Sequence, residues 1–357
     1  MEKEDNNGKS SPIKTISRVV LFLGLGIFFI WLSLKNLTHD DFRMILDSIS
    51  LINTPFNWLM LLCAAGWALF ADVARAQRAK LLLEPLGYHV SNRMCFYSVM
   101  VCYLANLALP RLGEILRCSF LQKFEKVPFQ KSLGTVVTER AVDMLCWGVM
   151  LLIVIGLNTG LLNELVINQE TGITLGSWME QKGLSILSNY FIFILIGFII
   201  LLSLFFYVTR RWWQKVGWIM KIWQILVGIW QGFISIKNLP RPWRYVLWNT
   251  LMWVSYFAGT YFCFLAFPFL RSVGPGAAFT LLILSTIAFM VSQGGLGAYP
   301  LFAAGILVMY NIPYTQGLAA GWIGWLLQTF IVLIFGALSL LLASFYTKPK
   351  ENNIEQS

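Results

Sequence analysis

The chain has 357 residues, of which 57% are hydrophobic and only 12% charged, where a soluble domain carries roughly 25% charge. Apolar runs close to the roughly 20 residues that cross a bilayer recur along it, and no polar stretch exceeds roughly 35 residues; a separate soluble domain is excluded, and the chain reads as an all-α polytopic membrane protein. The formal net charge of +10 does not signal nucleic acid, because the Lys and Arg fall between the apolar runs, where the positive-inside rule puts them.

In chain order, a basic tail at 1–18 (Lys3, Lys9, Lys14, Arg18) precedes a first apolar segment at 19–37. With no small-x-small cleavage site, this segment reads as an uncleaved helix rather than a signal peptide. The 38–56 loop is acidic, with Asp40, Asp41 and Asp47 against Arg43. A span is expected at 57–74, followed by a basic loop at 75–93 carrying Arg75, Arg78, Lys80 and Arg93. The alternation sets these loops in, out, in. Segment 94–109 is apolar, yet 111–131 holds Arg111, Arg117, Lys123, Lys126 and Lys131, which belong on the cytoplasmic side. The conflict disappears if 94–117 is a re-entrant hairpin that turns at Leu109–Gly113 and returns.

Segment 134–157 then goes out, and 158–188 (Glu164, Glu170, Glu180, Lys182) is an outer loop. Segment 189–209 returns, and 210–244, with seven Lys/Arg and no acid, is cytoplasmic. Segment 245–267 goes out, the Gly-rich 277–310 stretch dips in from outside, and 317–346 returns to a cytoplasmic tail at 347–357. The expected fold is about six full transmembrane helices plus two re-entrant helical hairpins in an inverted repeat. The domain is a single one at 19–346, with half-repeats at 19–157 and 189–346; eight full spans is the alternative. Within 210–237, Gln214, Lys221, Gln224 and Gln231 form one polar stripe, with Trp212, Trp213, Trp218, Trp223 and Trp230 elsewhere on the surface. That pattern predicts an interfacial helix; the other reading is a helix packed on the bundle.

Two breaks stand out: LANLALPRLGEILR at Leu104–Arg117 and SQGGLGAYP at Ser292–Pro300. In lipid every backbone N–H and C=O must be satisfied internally, so a broken helix survives only against protein or a water-filled cavity. Paired breaks in corresponding halves point to a transporter's binding site. Arg111, Glu114 and Arg117 share a face of the helix that follows Pro110. A helix N-terminus beside two guanidiniums suits a phosphate, and Glu114 could orient an Arg or meet a cationic headgroup. The plainer reading is a cytoplasmic loop with a local ion pair.

Glu139 and Asp143, four apart with Arg140 between them and Thr138 before, need a counter-charge that Arg111 or Arg117 could supply. The competing reading has Arg140 snorkelling to the interface while the acids pair locally. Asp72 and Arg75 read as an interfacial pair. Gly294, Gly295 and Gly297 permit positive φ and close backbone approach to a ligand, with Gln293 and Tyr299 as hydrogen-bonding groups; small-residue helix packing competes. The six cysteines form no Cys-x-x-Cys, and with only His39 and His89 there is no Cys/His cluster. No metal site, cofactor or nucleotide loop is expected, and the acids lack a His partner for catalysis, so the chain reads as a transporter and not an enzyme.

The run Asn106-x-x-x-Pro110-Arg111-x-Gly113-Glu114-x-x-Arg117, then Glu139-Arg140-x-x-Asp143, then Gly294-Gly295-x-Gly297, resembles the flippase-like membrane region of lysylphosphatidylglycerol synthases across roughly 15–346. The resemblance implies a multi-pass protein of a bacterial or archaeal plasma membrane, with both termini cytoplasmic, that turns over lipids or lipid-linked headgroups. Two departures stand out. Ser292–Gln293 replaces a proline often found before the glycines, and Tyr299–Pro300 replaces an acid after them, which weakens the case for a cationic lipid. The chain is also expected to lack a soluble aminoacyl-transferring domain, so another protein would make any aminoacylated lipid.

The expected function is a lipid flippase or scramblase whose partners are membrane lipids and a lipid-modifying enzyme. The substrate-binding residues are Asn106, Pro110, Arg111, Gly113, Glu114, Arg117, Glu139, Arg140, Asp143, Gln293, Gly294, Gly295, Gly297 and Tyr299. Arg117→Ala is expected to spare the fold and abolish turnover. The alternatives are a non-transporting accessory that holds a lipid for a partner enzyme and, further off, a polyprenyl-phosphate transferase.

Overall fold

The computed structural model describes residues 38–108, 112–158, 166–168, 173–174 and 239–345. The expected spans 19–37 and 189–209, the interfacial helix 210–237, both tails, Pro110 and Arg111 lie outside the described residues. Helix α1, His39–Ser50, opens on a capping box: the Asp41 N–H donates to the Thr38 hydroxyl (3.2 Å) and the Thr38 N–H to the Asp41 carboxylate (2.8 Å). Helix α2 is Pro55–Leu83, capped by Thr54 with Pro55 in its first turn. There follow α3, Asn92–Ala108, α4, Leu112–Glu125, and α5, Phe129–Leu157. Two short antiparallel strands, β1 Val166–Asn168 and β2 Ile173–Thr174, pair in the stretch expected as an outer loop. The second half supplies α6, Pro242–Ala266, α7, Pro275–Val291, α8, Ala298–Val308, and α9, Tyr314–Ser344.

Three helices among the described residues are both long and apolar enough to cross a membrane, at Pro55–Leu86, Phe129–Leu157 and Tyr314–Ser344. Their outer faces stay apolar. Met144, Val149 and Ile153 on α5, and Phe330, Ile334 and Leu341 on α9, are exposed, as lipid-facing side chains are when no membrane is present.

Two expectations are corrected. The acidic 38–56 stretch is no simple loop, because its Thr38/Asp41 cap nucleates α1. The basic 75–93 stretch is not a loop from its start either: α2 continues nine residues beyond 74, to Leu83. Charge did not end the helix because Arg75 and Arg78 turn inward and find buried partners, leaving Lys80 to bridge to Asn92 at the start of α3 (2.9 Å).

The packing repeats between halves. Contacts of α2 with α3, α3 with α4, α4 with α5 and α5 with α7 are matched by those of α6 with α7, α7 with α8, α8 with α9 and α9 with α3, while α2 and α6 pair with each other. The α2/α6 pair is antiparallel. Asn57, at the start of α2, accepts from Arg271 just past α6, whereas Arg78 near the end of α2 reaches Asn249 near the start of α6. Small residues let helices close up, which substitutes for the hydrophobic drive that lipid cannot provide. A Cβ on Gly259 of α6 would lie 3.4 Å from the Ala64 carbonyl oxygen of α2. On α9, Gly317-x-x-x-Gly321 takes α8 so closely that a Cβ at Gly321 would lie 2.7 Å from Pro300 Cα.

Candidate functional site

The two breaks meet. Helices α3 and α4 flank the first, and Asn106 closes it by accepting from the Gly113 N–H (2.9 Å). A Cβ at Gly113 would fall 2.1 Å from the Cys102 carbonyl oxygen, so only glycine allows this approach. At the second break, α7 ends at Val291 and a single helical turn, Gln293–Gly295, leads into α8. Gly294, Gly295 and Gly297 have φ of 59°, 74° and 69°, the left-handed region that L side chains avoid. Gln293 crosses to the first break and donates its amide to the Leu107 carbonyl (2.6 Å), satisfying an acceptor at the frayed end of α3. Trp325 of α9 donates to the Gly294 carbonyl from the other side (2.8 Å).

Next to the first break lies a cluster of eight ionisable side chains from α2, α4 and α5. Arg117 and Glu139 form a bidentate pair, with Nη1 to Oε2 at 2.9 Å and Nη2 to Oε1 at 2.8 Å. Their side chains are 2% and 1% exposed. Asp143 gathers three guanidiniums: Arg78 at 2.6 Å, Arg75 at 3.2 Å and Arg140 at 3.8 Å. Arg140 also reaches Glu114 at 3.4 Å, which ties the cluster to the turn after Gly113. Neutral groups complete it. Arg75 donates to the Tyr256 hydroxyl (3.0 Å) and lies over the Tyr103 ring, while Arg78 donates to the Asn249 side chain and lies over the Tyr245 ring.

Burial grades across the cluster, from Arg140 and Glu114 at 39% and 25% exposed to Arg78 at 0%, so Arg140 and Glu114 mark its open end. Its hydrogen bonding is incomplete. The Nε of Arg75, Arg78, Arg117 and Arg140, the second Nη of Arg78, and one oxygen each of Asp72 and Glu114 are buried with no partner among the described residues. Buried charged donors without acceptors are costly. An oxyanion inserted here would satisfy them.

The expected site residues therefore fall into three groups. Glu114, Arg117, Glu139, Arg140 and Asp143 come together as the cluster. Asn106, Gly113, Gln293, Gly294, Gly295 and Gly297 build the two breaks and their contact. Tyr299 packs instead on Phe289 (ring centroids 5.4 Å apart) and beside Gly324. The counter-charge expected for the acids is Arg117, which takes Glu139, while Asp143 is served by Arg75 and Arg78. The interfacial reading of Asp72 and Arg75 is overturned: they are 1% and 7% exposed, deep in a 29-residue helix. Arg78 and the neutral partners Asn249, Tyr245, Tyr256 and Tyr103 were not anticipated. The one signal for Arg78 was the Asp72–Arg75–Arg78 spacing of three along an otherwise apolar helix.

The chain matches the protein family described as the lysylphosphatidylglycerol synthase TM region over residues 18–336. It is also similar to a UPF0104 membrane protein of Methanocaldococcus jannaschii, 30% identical over 109 residues. That stretch is 30% of this chain and 32% of the archaeal protein, so the chain spans about a third of the curated relative it matches. No solved structure matches.

Proposed function

The chain belongs to the lysylphosphatidylglycerol synthase TM region family, and from that membership we propose that it moves a phospholipid or lipid-linked headgroup between leaflets, binding it where the two broken helices meet. The observation that carries this reading is the Gln293–Leu107 contact between the breaks, set beside a buried cluster whose guanidiniums keep unused N–H groups. A phosphate entering past Arg140 and Glu114 meets Arg75, Arg78 and Arg140, now held by the Asp143 carboxylate. It bonds to the N–H groups that these guanidiniums leave unpaired, so Asp143 keeps its own ion pairs. Arg117 holds α4 against α5 through Glu139.

In this reading α3–α4 and α7–α8 are re-entrant hairpins, and α2, α5, α6 and α9 span together with the segments 19–37 and 189–209 expected from the sequence, giving six full spans in an inverted repeat with both termini on the cytoplasmic side of the plasma membrane. The antiparallel course of α2 and α6 supports the inversion. Rocking of one half against the other exposes the site to alternate leaflets. The protein acts as a transporter without chemistry of its own, and lipid-modifying enzymes supply or consume its substrate.

The test is a reconstituted assay that follows fluorescent phosphatidylglycerol across the bilayer by chemical quenching of the outer leaflet. Arg78→Gln is expected to cut the rate at least tenfold in protein that still folds. An unchanged rate would remove the cluster from the path. No movement above protein-free vesicles, with lipid still retained on purified protein, would instead favour a lipid-holding accessory.

A further inference from the structure

Among the described residues, Asp72 is the one carboxylate of the cluster with no cation in ion-pair contact. It is 1% exposed on α2 and its Oδ2 has no hydrogen-bond partner among the described residues. Each nearby guanidinium makes its ion pair with another carboxylate. Arg75, one turn along, serves Asp143 and Tyr256, Arg78 serves Asp143 and Asn249, Arg117 serves Glu139, and Arg140 bridges Glu114 and Asp143. Burying an ion without a partner costs several kcal/mol, so the charge of Asp72 is set by the balance of the cluster around it.

The charge count sharpens the point. With every group ionised, Asp72, Glu114, Glu139 and Asp143 balance Arg75, Arg78, Arg117 and Arg140, four against four. A phosphate monoester or diester brings at least one negative charge into this balanced, low-dielectric site. No histidine, lysine or other titratable cation stands ready to offset it in the described part of the cluster. The titratable and charged groups on the elements packed against Asp72 are Arg75 and Arg78 on its own helix, Tyr103 on α3, Glu139, Arg140 and Asp143 on α5, and Tyr245 and Tyr256 on α6. Helix α9 presents no charged side chain. Of the acids among these, Glu139 and Asp143 are ion-paired and Asp72 is not.

We propose that Asp72 is a proton carrier coupled to headgroup binding: its carboxylate accepts one proton as a phosphate-bearing lipid enters the Arg75/Arg78/Arg140 cluster, and gives that proton up when the lipid leaves. This rests on the headgroup site proposed above. The proton comes from water on the side from which the lipid enters and returns to water on the side where it exits, so charge and atoms balance over the cycle. A pH gradient across the membrane would then drive net lipid movement toward the more alkaline side, where the proton is released.

The test is titration calorimetry of the full-length protein in mild detergent with short-chain phosphatidylglycerol, in buffers of different ionisation enthalpy and across the neutral pH range. Wild type is expected to take up about one proton per lipid bound, with affinity falling about tenfold per pH unit on the alkaline side. Asp72→Asn, which keeps the shape of the side chain, is expected to bind with no proton uptake and no pH dependence, and Asp72→Glu to retain both. Inorganic phosphate, titrated in parallel, is expected to bind far more weakly; equal affinity would assign the site to a free anion and refute the lipid source. Lipid binding without proton uptake by wild type, or unchanged uptake in Asp72→Asn, overturns the coupling and leaves the headgroup site standing. No binding by wild type overturns both.

Discussion

The Arg117–Glu139 pair offers the sharpest test of how the first hairpin is held. Two charge-assisted hydrogen bonds at 2.8 and 2.9 Å join side chains that are 2% and 1% exposed. Removing one partner strands the other charge, and such a break costs about 3–5 kcal/mol. At about 1.4 kcal/mol per tenfold, that is roughly two to three and a half decades in the unfolding equilibrium. Glu139→Gln and Arg117→Met should each lose this much, while Arg117→Met/Glu139→Met, which leaves no buried charge, should return to within about 1–2 kcal/mol of wild type. The assay is reversible unfolding in mixed detergent against mole fraction of SDS, followed by tryptophan fluorescence. Single variants within about 1 kcal/mol of wild type, or a double variant that loses the sum of the two, would refute the argument. The same geometry replaces the expectation that Arg117→Ala spares the fold, because Arg117 is bound to Glu139 and not held open for a ligand.

Gly321→Leu should separate α8 from α9, because even a Cβ there lies 2.7 Å from Pro300 Cα; folded yield after size-exclusion chromatography should fall severalfold, and a normal yield would contradict the packing. Gln293→Leu removes the amide that serves the Leu107 carbonyl, which should cost about 1 kcal/mol of stability. It should slow lipid movement more than that loss explains, as read by the reconstituted assay beside the unfolding assay. At the surface, the backbone N–H and hydroxyl of Thr38 hold the Asp41 carboxyl below the usual carboxylate range. A depressed folded value means that the cap's contribution is full above the ordinary carboxylate pKa and is lost as pH falls through the lower one. Amide exchange in the first turn of α1 should therefore lose protection on acidification, and Asp41→Asn, which removes the titrating group, should abolish that pH dependence.

The sequence disclosed more of the fold than of the site, for a physical reason. Apolar run length and loop charge are one-dimensional signals, and they placed α3, α6, α7 and α9 to within about three residues and both breaks at their observed positions. The helix α2 was cut short at 74 because arginine was taken to mean loop. Whether an arginine ends a span depends on what faces it, and Asp143 lies sixty-eight residues from Arg75. The Pro-Arg-x-Gly-Glu and Glu-Arg-x-x-Asp motifs correctly brought Glu114, Arg117, Glu139, Arg140 and Asp143 together. They could not show that Arg117 is consumed by Glu139, nor that Tyr256 and Asn249, in a different half of the chain, complete the arginine shell. Tyr299 was drawn in by its place beside the glycines, but the positive φ of Gly297 turns the chain before it, and its ring meets Phe289.

The repeat in packing is not matched by a repeat in charge, and that difference bears on mechanism. All eight ionisable side chains of the cluster come from α2, α4 and α5, whereas α7, α8 and α9 carry no Asp, Glu, Lys or Arg. Among the described residues, the second half contributes neutral groups: Asn249, Tyr245 and Tyr256 to the cluster, and Gln293 and Trp325 to the breaks. A neutral node joins the end of α5 to the second half: Tyr310 donates to Asn158 at 2.6 Å and Asn158 donates to Thr280 at 3.0 Å. The salt bridges of the cluster lie within the first half, so sliding of one half against the other leaves them unbroken. The contacts across the seam include three hydrogen bonds from guanidiniums to neutral acceptors, Arg75 to Tyr256, Arg78 to Asn249 and Arg271 to Asn57, each worth about 1.5–3 kcal/mol, beside neutral ones worth about 1 kcal/mol net. The rocking proposed above would then exchange hydrogen bonds across the seam while every ion pair of the cluster stays within one body.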